Sequence, residues 1–498
     1  MLSAYGFHDK GVADMSSPLE GLKPSLIWKY FDQILAIPHG SGNERALGDH
    51  LVSVAKSLKL EAKKDRVGNV LVRKRASSGR EKAEGLILQG HMDMVCEKNS
   101  DVAHDFLKDA IRPQVKGDWV QASGTTLGAD NGLGVAACLA VMEDASLVHG
   151  PLEFLFTVDE ETGLTGARKI EKGFLKSKRM INLDSEEEGT FTIGCAGGAD
   201  TEIIFPLARK KTVSKNLSRL KLYGLRGGHS GIDIHQGCGN AIKLLTRMLW
   251  QAQREFRFSL VNLEGGNKRN AIPLEAWADL AVDPACLRPL GAFFKKAFEK
   301  IRVEYKAVET EIKYSLGKSE APSAYALTAD SQRAFLNGLL AIPHGVIAMH
   351  PEIIGLVETS TNLAIVHPRR SDVQIICSTR SSIASALEAT RNVIRSVSEL
   401  AGAKISQREG YPGWMPDLQS PLLQTLKGVY EKTFGKQPEI KAVHAGLECG
   451  IIGEKYPGMD MISFGPTIKN PHSPDERAHI GSVEKFWRFL KTALDALA

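Results

Sequence analysis

The chain turns on the stretch Leu86-Ile87-Leu88-Gln89-Gly90-His91-Met92-Asp93-Met94-Val95. An apolar run of strand character ends at Gly90, and a histidine and a carboxylate follow two residues apart. Side chains alternate along extended backbone, so His91 and Asp93 leave the strand on one side. A metal site needs this arrangement, an imidazole nitrogen as ligand with a carboxylate behind it to fix the ring. A lone His-x-Asp is more commonly a hydrogen-bonded histidine at a strand end. The rest of the chain favours the metal.

Two further apolar runs end in acid. Residues 152–158 read as a buried strand and stop at Asp159-Glu160-Glu161-Thr162-Gly163; residues 180–183 stop at Asp184-Ser185-Glu186-Glu187-Glu188. Rows of acids usually mark a solvated surface, but acid at the end of a buried strand is less usual. In open α/β sheets ligands bind beyond the carboxyl ends of the strands. His91, Glu160, Glu161 and Asp184 can therefore meet in one crevice. A fourth buried run, residues 459–464, leads to Pro471-His472-Ser473-Pro474-Asp475-Glu476, which makes His472 a fifth candidate ligand. It requires the C-terminal part of the chain to complete the sheet begun by the N-terminal part. Gly128-Ala129-Asp130-Asn131-Gly132 opens a helix of small and apolar residues, where Asp130 is either an N-cap or a ligand.

Two histidines and three carboxylates (His91, Asp130, Glu161, Asp184, His472) form a mixed nitrogen and oxygen set suited to Zn²⁺, Co²⁺ or Mn²⁺. With one bridging carboxylate the natural arrangement is two ions about 3.5–4 Å apart. His91 and Asp184 would hold one, Glu161 and His472 the other, and Asp130 both. Glu160 is left to take a proton from the bridging water and deliver it to a leaving amine, with Asp93 behind His91.

At 498 residues the chain is expected to form two or three domains. Its net charge of +5 is small for that length and argues for neither a nucleic-acid nor an anionic-membrane partner. No apolar run approaches the roughly 18 residues of a membrane span. Seven scattered cysteines without a Cys-x-x-Cys pair read as reduced thiols of a cytoplasmic protein. Residues 1–21 carry neither the basic nor the apolar region of a secretory leader. A second methionine, Met15, leaves the first fourteen residues outside the expected fold.

Helices are expected between residues 24 and 60, at 133–142, 241–253, 383–399, 420–434 and 483–497. The character changes after Gly194-Cys195-Ala196-Gly197-Gly198, where Lys210, Lys211, Lys215, Arg219 and Lys221 read as a solvated face near a hinge. The inserted region echoes itself. Arg269-Asn270-Ala271-Ile272-Pro273 leads into an alternating strand at 276–282, and Thr361-Asn362-Leu363-Ala364-Ile365 into one at 373–377, with the helices 241–253 and 383–399 beside them.

The series His91-Met92-Asp93, Gly128-Ala129-Asp130-Asn131-Gly132, Asp159-Glu160-Glu161-Thr162-Gly163, Asn182-Leu183-Asp184-Ser185-Glu186, Gly227-Gly228-His229-Ser230-Gly231 and Pro471-His472-Ser473-Pro474-Asp475-Glu476 resembles the M20 metallopeptidases. Two stretches, His91-Met92-Asp93-Met94-Val95-Cys96-Glu97-Lys98 and Gly446-Leu447-Glu448-Cys449-Gly450, are similar to the aminoacyl-histidine dipeptidase branch (cytosolic Xaa-His dipeptidases). Many other members have proline where Cys96 stands.

That resemblance implies an α/β protein, with a zinc-peptidase-like catalytic domain whose mixed sheet is flanked by helices and an inserted α/β lid of two related halves. The limits read here are residues 22–197 and 411–498 for the catalytic domain, 198–410 for the lid and 1–21 for a tail. It implies Asp93 and Glu160 as the catalytic pair, the five metal ligands named above, and a cis peptide at Asp130–Asn131. In the lid, His229 resembles the histidine that polarises the scissile carbonyl, and Arg380 with Asn362 the pair that clamps the terminal carboxylate. Gly446 would lend backbone contacts. The Gly-rich loop around His229 lacks the Lys-Ser/Thr of a phosphate cradle, so no nucleotide is expected. Dimeric members supply the polarising histidine from the partner subunit; a doubled lid is expected to supply His229 from the same chain, although a homodimer is also considered.

The expected function is hydrolysis of dipeptides, preferentially Xaa-His and including β-alanyl-histidine, by hydroxide bridging two divalent ions, most simply Zn²⁺. An N-acyl amino acid deacylase or a tripeptidase would use the same residues. A silent metal- or peptide-binding homologue would be expected to have lost Glu160 or Asp93, and both are present.

Overall fold

The computed structural model describes residues 17–212, 217–321 and 325–498, so Lys215 and most of the tail lie outside the described residues. The chain divides into two compact units. Of the described residues, one unit comprises those up to Ile193 with Asp417–Lys441 and Ile451–Ala498; the other comprises those within Gly194–Pro416 and Ala442–Gly450.

The first unit is built on an eight-stranded sheet in the order Glu61–Lys64, Val70–Lys74, Leu152–Thr157, Leu86–His91, Arg179–Asn182, Asp460–Ser463, Thr190–Cys195, Glu439–Val443. Its middle is parallel. Leu86–His91 pairs with Leu152–Thr157 on one side and Arg179–Asn182 on the other, and Asp460–Ser463 runs parallel to Arg179–Asn182. Every residue of Leu86–His91 and Leu152–Thr157 is buried, as expected of strands covered on both faces. The helix Ala129–Glu143 is buried from Ala129 to Met142. Its apolar residues face every direction, which fits a helix enclosed by the domain rather than lying on its surface. Close approach needs glycine here: a Cβ on Gly132 would lie 2.9 Å from the Phe31 ring.

A smaller sheet orders Ile468–Lys469, Arg477–His479, Trp119–Ala122 and Pro113–Lys116. His472 therefore sits in the loop of a hairpin anchored to residues 119–122.

The second unit is a nine-stranded antiparallel sheet whose main order is Lys313–Lys318, Leu217–Tyr223, Ala276–Val282, Phe258–Gly265, Val357–Pro368, Asp372–Ser381, Gly197–Pro206, Lys404–Gln407. Each half of that order has the same plan, strand-helix-strand-strand-helix-strand with the first strand placed between the third and the fourth. One half uses the helices Ala241–Ala252 and Pro284–Glu304, the other Ala329–Ala341 and Ala384–Leu400. The whole first half is inserted between Gly197–Pro206 and Ala329–Ala341 of the second. The counterpart of Ala241–Ala252 is thus Ala329–Ala341, whereas the sequence echo pairs it with the helix at 383–399.

Sequence places 411–498 together, but residues 411–416 and 442–450 lie in the second unit. The cause is local pairing. Cys195 N donates to Trp414 O at 2.9 Å and Gly198 N to Tyr411 O at 3.0 Å, so the chain's exit is bonded to its entry. A Cβ on Gly446 would meet the Tyr411 ring at 2.7 Å, and one on Gly450 would meet Pro412 O at 2.6 Å. In the basic stretch Arg219 is ion-paired with buried Asp279 at 2.8 Å and Lys221 with Glu275 at 2.7 Å. These two are not simply a solvated face.

Buried Asn240 joins the two halves. Its Oδ1 caps the helix Ala241–Ala252 by accepting from Ile242 N and Lys243 N, and its Nδ2 donates to Leu363 O at 2.8 Å. Asn240→Ala removes the cap and strands a buried carbonyl, which should cost about 2 kcal/mol. The check is the urea midpoint by circular dichroism; an unchanged midpoint would show that water replaces both functions.

Candidate active site

Parallel pairing brings the ends of four strands to one edge of the first sheet. His91 is opposite Thr157, and Gln89 opposite Asn182, which is itself opposite Ser463. The residues that follow these strand ends are Asp159-Glu160-Glu161, Asp184 and the loop leading to His472.

The side chains meet around Asp130. His91 Nε2 lies 3.2 Å from Asp130 Oδ1 and 3.2 Å from Asp184 Oδ1. His472 Nε2 lies 3.1 Å from Asp130 Oδ2 and 3.1 Å from Glu161 Oε2. Asp130 thus turns one oxygen to each histidine, and each histidine also meets a second carboxylate. The Asp130–Asn131 peptide is cis. Asn131 donates from Nδ2 to Leu183 O at 2.7 Å, and its side chain fits only because Gly90 and Gly134 lack a Cβ, which would come within 2.2 and 2.6 Å of Asn131 Oδ1.

Asp93 lies behind this cluster. Its Oδ1 and Oδ2 accept from the backbone N–H of Glu160 and Glu161 at 3.0 and 3.2 Å, and Ser41 Oγ donates to Oδ2 at 2.8 Å. His91 Nδ1 is 3.0 Å from the Asp93 carbonyl and 3.5 Å from its carboxylate. One buried acid therefore orients the imidazole and the Glu160-Glu161 turn together. Asp159 before that turn has a left-handed backbone (φ 52°), and Glu44 Oε1 accepts its N–H at 3.0 Å.

The electrostatics call for positive charge. Burial alone would lower His91, but Asp184 and Asp130 beside it outweigh that and hold its pKa well above the usual value. Hydrogen bonds to Asp130 and Glu161 push His472 up to about 11. Burial opposes ionisation of Asp93, yet His91 and the Glu160 N–H bring it down to about 2. The carboxylates thus draw positive charge to both histidines. Among the described residues the ion pairs of Asp130 and Glu161 are with histidines alone, and buried Glu161 Oε1 has no hydrogen-bond partner. His91, Asp130 and Asp184 form one group able to hold a cation, and Asp130, Glu161 and His472 another. The donors fit two divalent ions of the zinc type. A further acidic group, Glu44, Asp93 and Asp159, is occupied instead with backbone N–H groups and with the hydroxyls of Thr162 and Thr165.

Glu476 belongs to the site although nothing in its sequence position assigns it a role beyond the motif around His472. Its buried carboxylate accepts from the backbone N–H of Leu127, Gly128, Ala129 and Asp130 at 2.8, 3.0, 2.8 and 3.3 Å. A carboxylate four residues beyond a candidate histidine was the only signal available.

The second unit gathers its own candidates. His229 Nδ1 accepts from Gly231 N at 3.2 Å and Ile232 N at 3.0 Å, which leaves the proton on Nε2. Burial, then the charge of Arg380, lowers its pKa, so the ring is neutral. Asp233 holds the loop by accepting His229 N at 2.8 Å, and buried Glu309 accepts Arg226 N and Gly239 N, each at 2.7 Å. Arg380 is buried; its Nη1 donates to Tyr411 Oη at 3.0 Å, and its Nε has no partner among the described residues. Ser360 is paired with Arg380 across the strands, and Asn362 two residues on shares that face. Asn362 Nδ2 is spent on Ala271 O at 2.8 Å, while its Oδ1 is buried without a partner among the described residues. Ser360 Oγ lies 2.7 Å from His444 Nε2, and burial followed by Arg380 pushes His444 down to about 4. Gly231 lies among these groups, since a Cβ there would meet His444 O at 2.3 Å, His229 Cε1 at 3.1 Å and Arg380 Nε at 3.3 Å. Gly446 lies against Tyr411.

Comparison with known proteins accords with this arrangement. The chain is 43% identical over 479 residues to a cytosol non-specific dipeptidase of Escherichia coli (strain K12), covering 96% of this chain and 99% of that one. It superposes on the crystal structure of aminoacylhistidine dipeptidase from Vibrio alginolyticus with a TM-score of 0.91 and 42% identity, over 97% and 98% of the two chains. An aminopeptidase PepT from Bacillus cereus shares the fold at a TM-score of 0.55 and 15% identity, over 96% and 99%. The sequence profile of peptidase family M20/M25/M40 matches residues 87–496, and the chain belongs to that family.

Proposed function

We propose that this M20-family enzyme hydrolyses dipeptides, Xaa-His and β-alanyl-histidine among them, with two divalent cations, most simply Zn²⁺. The observation that carries the proposal is the placement of Asp130, one oxygen toward His91 and Asp184 and the other toward His472 and Glu161. When bound, such a pair of ions polarises a carbonyl and makes water nucleophilic at neutral pH. His91 and Asp184 would hold one ion, Glu161 and His472 the other, and Asp130 both. Asp93 fixes the Glu160 backbone and the His91 ring, and a Glu160 carboxylate oxygen lies within 4.8 Å of ligand atoms of His91 and Glu161. Glu160 takes the proton of the attacking water and returns it to the leaving amine.

In the second unit, a neutral His229 carrying its proton on Nε2 is the form that donates to a developing oxyanion. Arg380 is a buried cation short of an anion, and the terminal carboxylate of a peptide supplies one in the bidentate geometry guanidinium favours. Asn362 holds the turn at Ala271 and offers its Oδ1 to a substrate donor. Gly446 permits close backbone approach. The preference for Xaa-His rests on the likeness to the Vibrio alginolyticus aminoacylhistidine dipeptidase. A cytoplasmic setting is proposed on two grounds. The Escherichia coli relative is a cytosol dipeptidase, and none of the seven cysteines is in a disulfide, five of them being buried. Among the described residues no helix is long and apolar enough to cross a membrane.

Release of amino acids from Gly-His, β-alanyl-histidine, a tripeptide and an N-acetyl amino acid should be fastest for the two dipeptides. It should stop on chelation and return with Zn²⁺. Faster turnover of the tripeptide or the N-acetyl compound would replace this reading with a tripeptidase or a deacylase. Glu160→Ala should lower kcat by about 10³-fold with two ions still bound; loss of the ions as well would make its role structural. Arg380→Lys should raise KM about 100-fold and change kcat by less than about threefold, because the bidentate grip is lost while the charge stays. An unchanged KM would remove Arg380 from the substrate site.

A further inference from the structure

Glu476 spends its carboxylate on four consecutive backbone N–H groups, those of Leu127 to Asp130. These groups include the start of the helix Ala129–Glu143, where unpaired N–H dipoles favour an anion. The arrangement has a geometric consequence. Glu476 lies in the chain four residues after His472, and the loop between them is closed by short-range bonds, Glu476 N to Ser473 O at 3.0 Å and Ser473 Oγ to Asn470 O at 2.9 Å. His472 and Asn470 both have left-handed backbone, φ 58° and 54°. Through its carboxylate Glu476 ties this loop to the segment that carries Asp130.

The opposite half of the site has separate support. His91 ends a buried central strand, and Asp184 follows the strand Arg179–Asn182, whose Asn182 is bonded to Gln89 at 2.6 Å and to Ser463. His91 is buried, whereas the His472 side chain is 51% exposed. The hairpin pairing anchors the ends of the His472 loop, and the Glu476 carboxylate adds a direct tie from that loop to the segment carrying Asp130.

We infer that Glu476 is a positioning residue that sets His472 against Asp130 and so governs the ion held by Asp130, Glu161 and His472, leaving the one held by His91 and Asp184 largely unaffected. The inference rests on the two-ion reading above. It goes beyond that reading by making the two ions unequal in what secures them.

The test is calorimetric titration of the metal-stripped protein with Zn²⁺, repeated with Co²⁺ while its visible absorption is followed. The wild type should take two ions. Glu476→Gln, which keeps the volume, and Glu476→Ala should take one with unchanged affinity and the other at least about tenfold more weakly. His472→Ala should lose that same ion, with the same absorption band missing. Glu476→Gln combined with His472→Ala should be no worse than His472→Ala alone. Two ions bound with wild-type affinities by either folded variant would overturn the inference, even with a lowered Tm. So would equal weakening of both ions, or failure of both variants to fold. A wild type that takes fewer than two ions would instead contradict the two-ion reading itself.

Discussion

The site depends on the parallel alignment of four neighbouring strands, Leu152–Thr157, Leu86–His91, Arg179–Asn182 and Asp460–Ser463. Parallel strands in register end at one edge, and each of these hands a polar loop to that edge. Residues as far apart in sequence as His91 and His472 thereby come to share Asp130. The strands are largely apolar, and all but the first residues of the last two are buried, so the rigid core that fixes their ends is also what keeps the acids together.

Confining several carboxylates costs free energy unless each is compensated. The structure does this repeatedly with backbone N–H groups. Asp93 takes the Glu160 and Glu161 amides, Glu44 that of Asp159, and Glu476 those of Leu127 to Asp130. In the second unit Asp233 and Glu309 do the same for the loop around His229. Each bond neutralises charge and shapes a loop at once. Asp130 and Glu161 instead turn carboxylate oxygens to the histidines, which separates acids that build the site from acids that would work in it.

The buried strands were legible because a strand covered on both faces shows as a short apolar run, and the acid at its end stands out against that run. The helices at 241–252 and 384–400 were legible from their spacing. Two others were not. Pro284–Glu304 contains Pro289, which reads as a break, and Ala329–Ala341 has a weak apolar stripe. The nesting of one half of the second unit inside the other is a property of non-local strand pairing, and a short sequence echo cannot specify which helices correspond. Asn362 shows a related limit: its type suits a carboxylate clamp, but its amide nitrogen is committed to Ala271. Glu476 was visible only as part of a motif, because what it does depends on N–H groups more than 300 residues earlier in the chain.

The account holds that Asp130 spans two cation sites. The most direct measurement is anomalous diffraction at the zinc absorption edge from zinc-loaded crystals. The account predicts two peaks flanking the Asp130 carboxylate, one beside His91 and Asp184 and the other beside Glu161 and His472. A single peak, or peaks that do not touch Asp130, would contradict it.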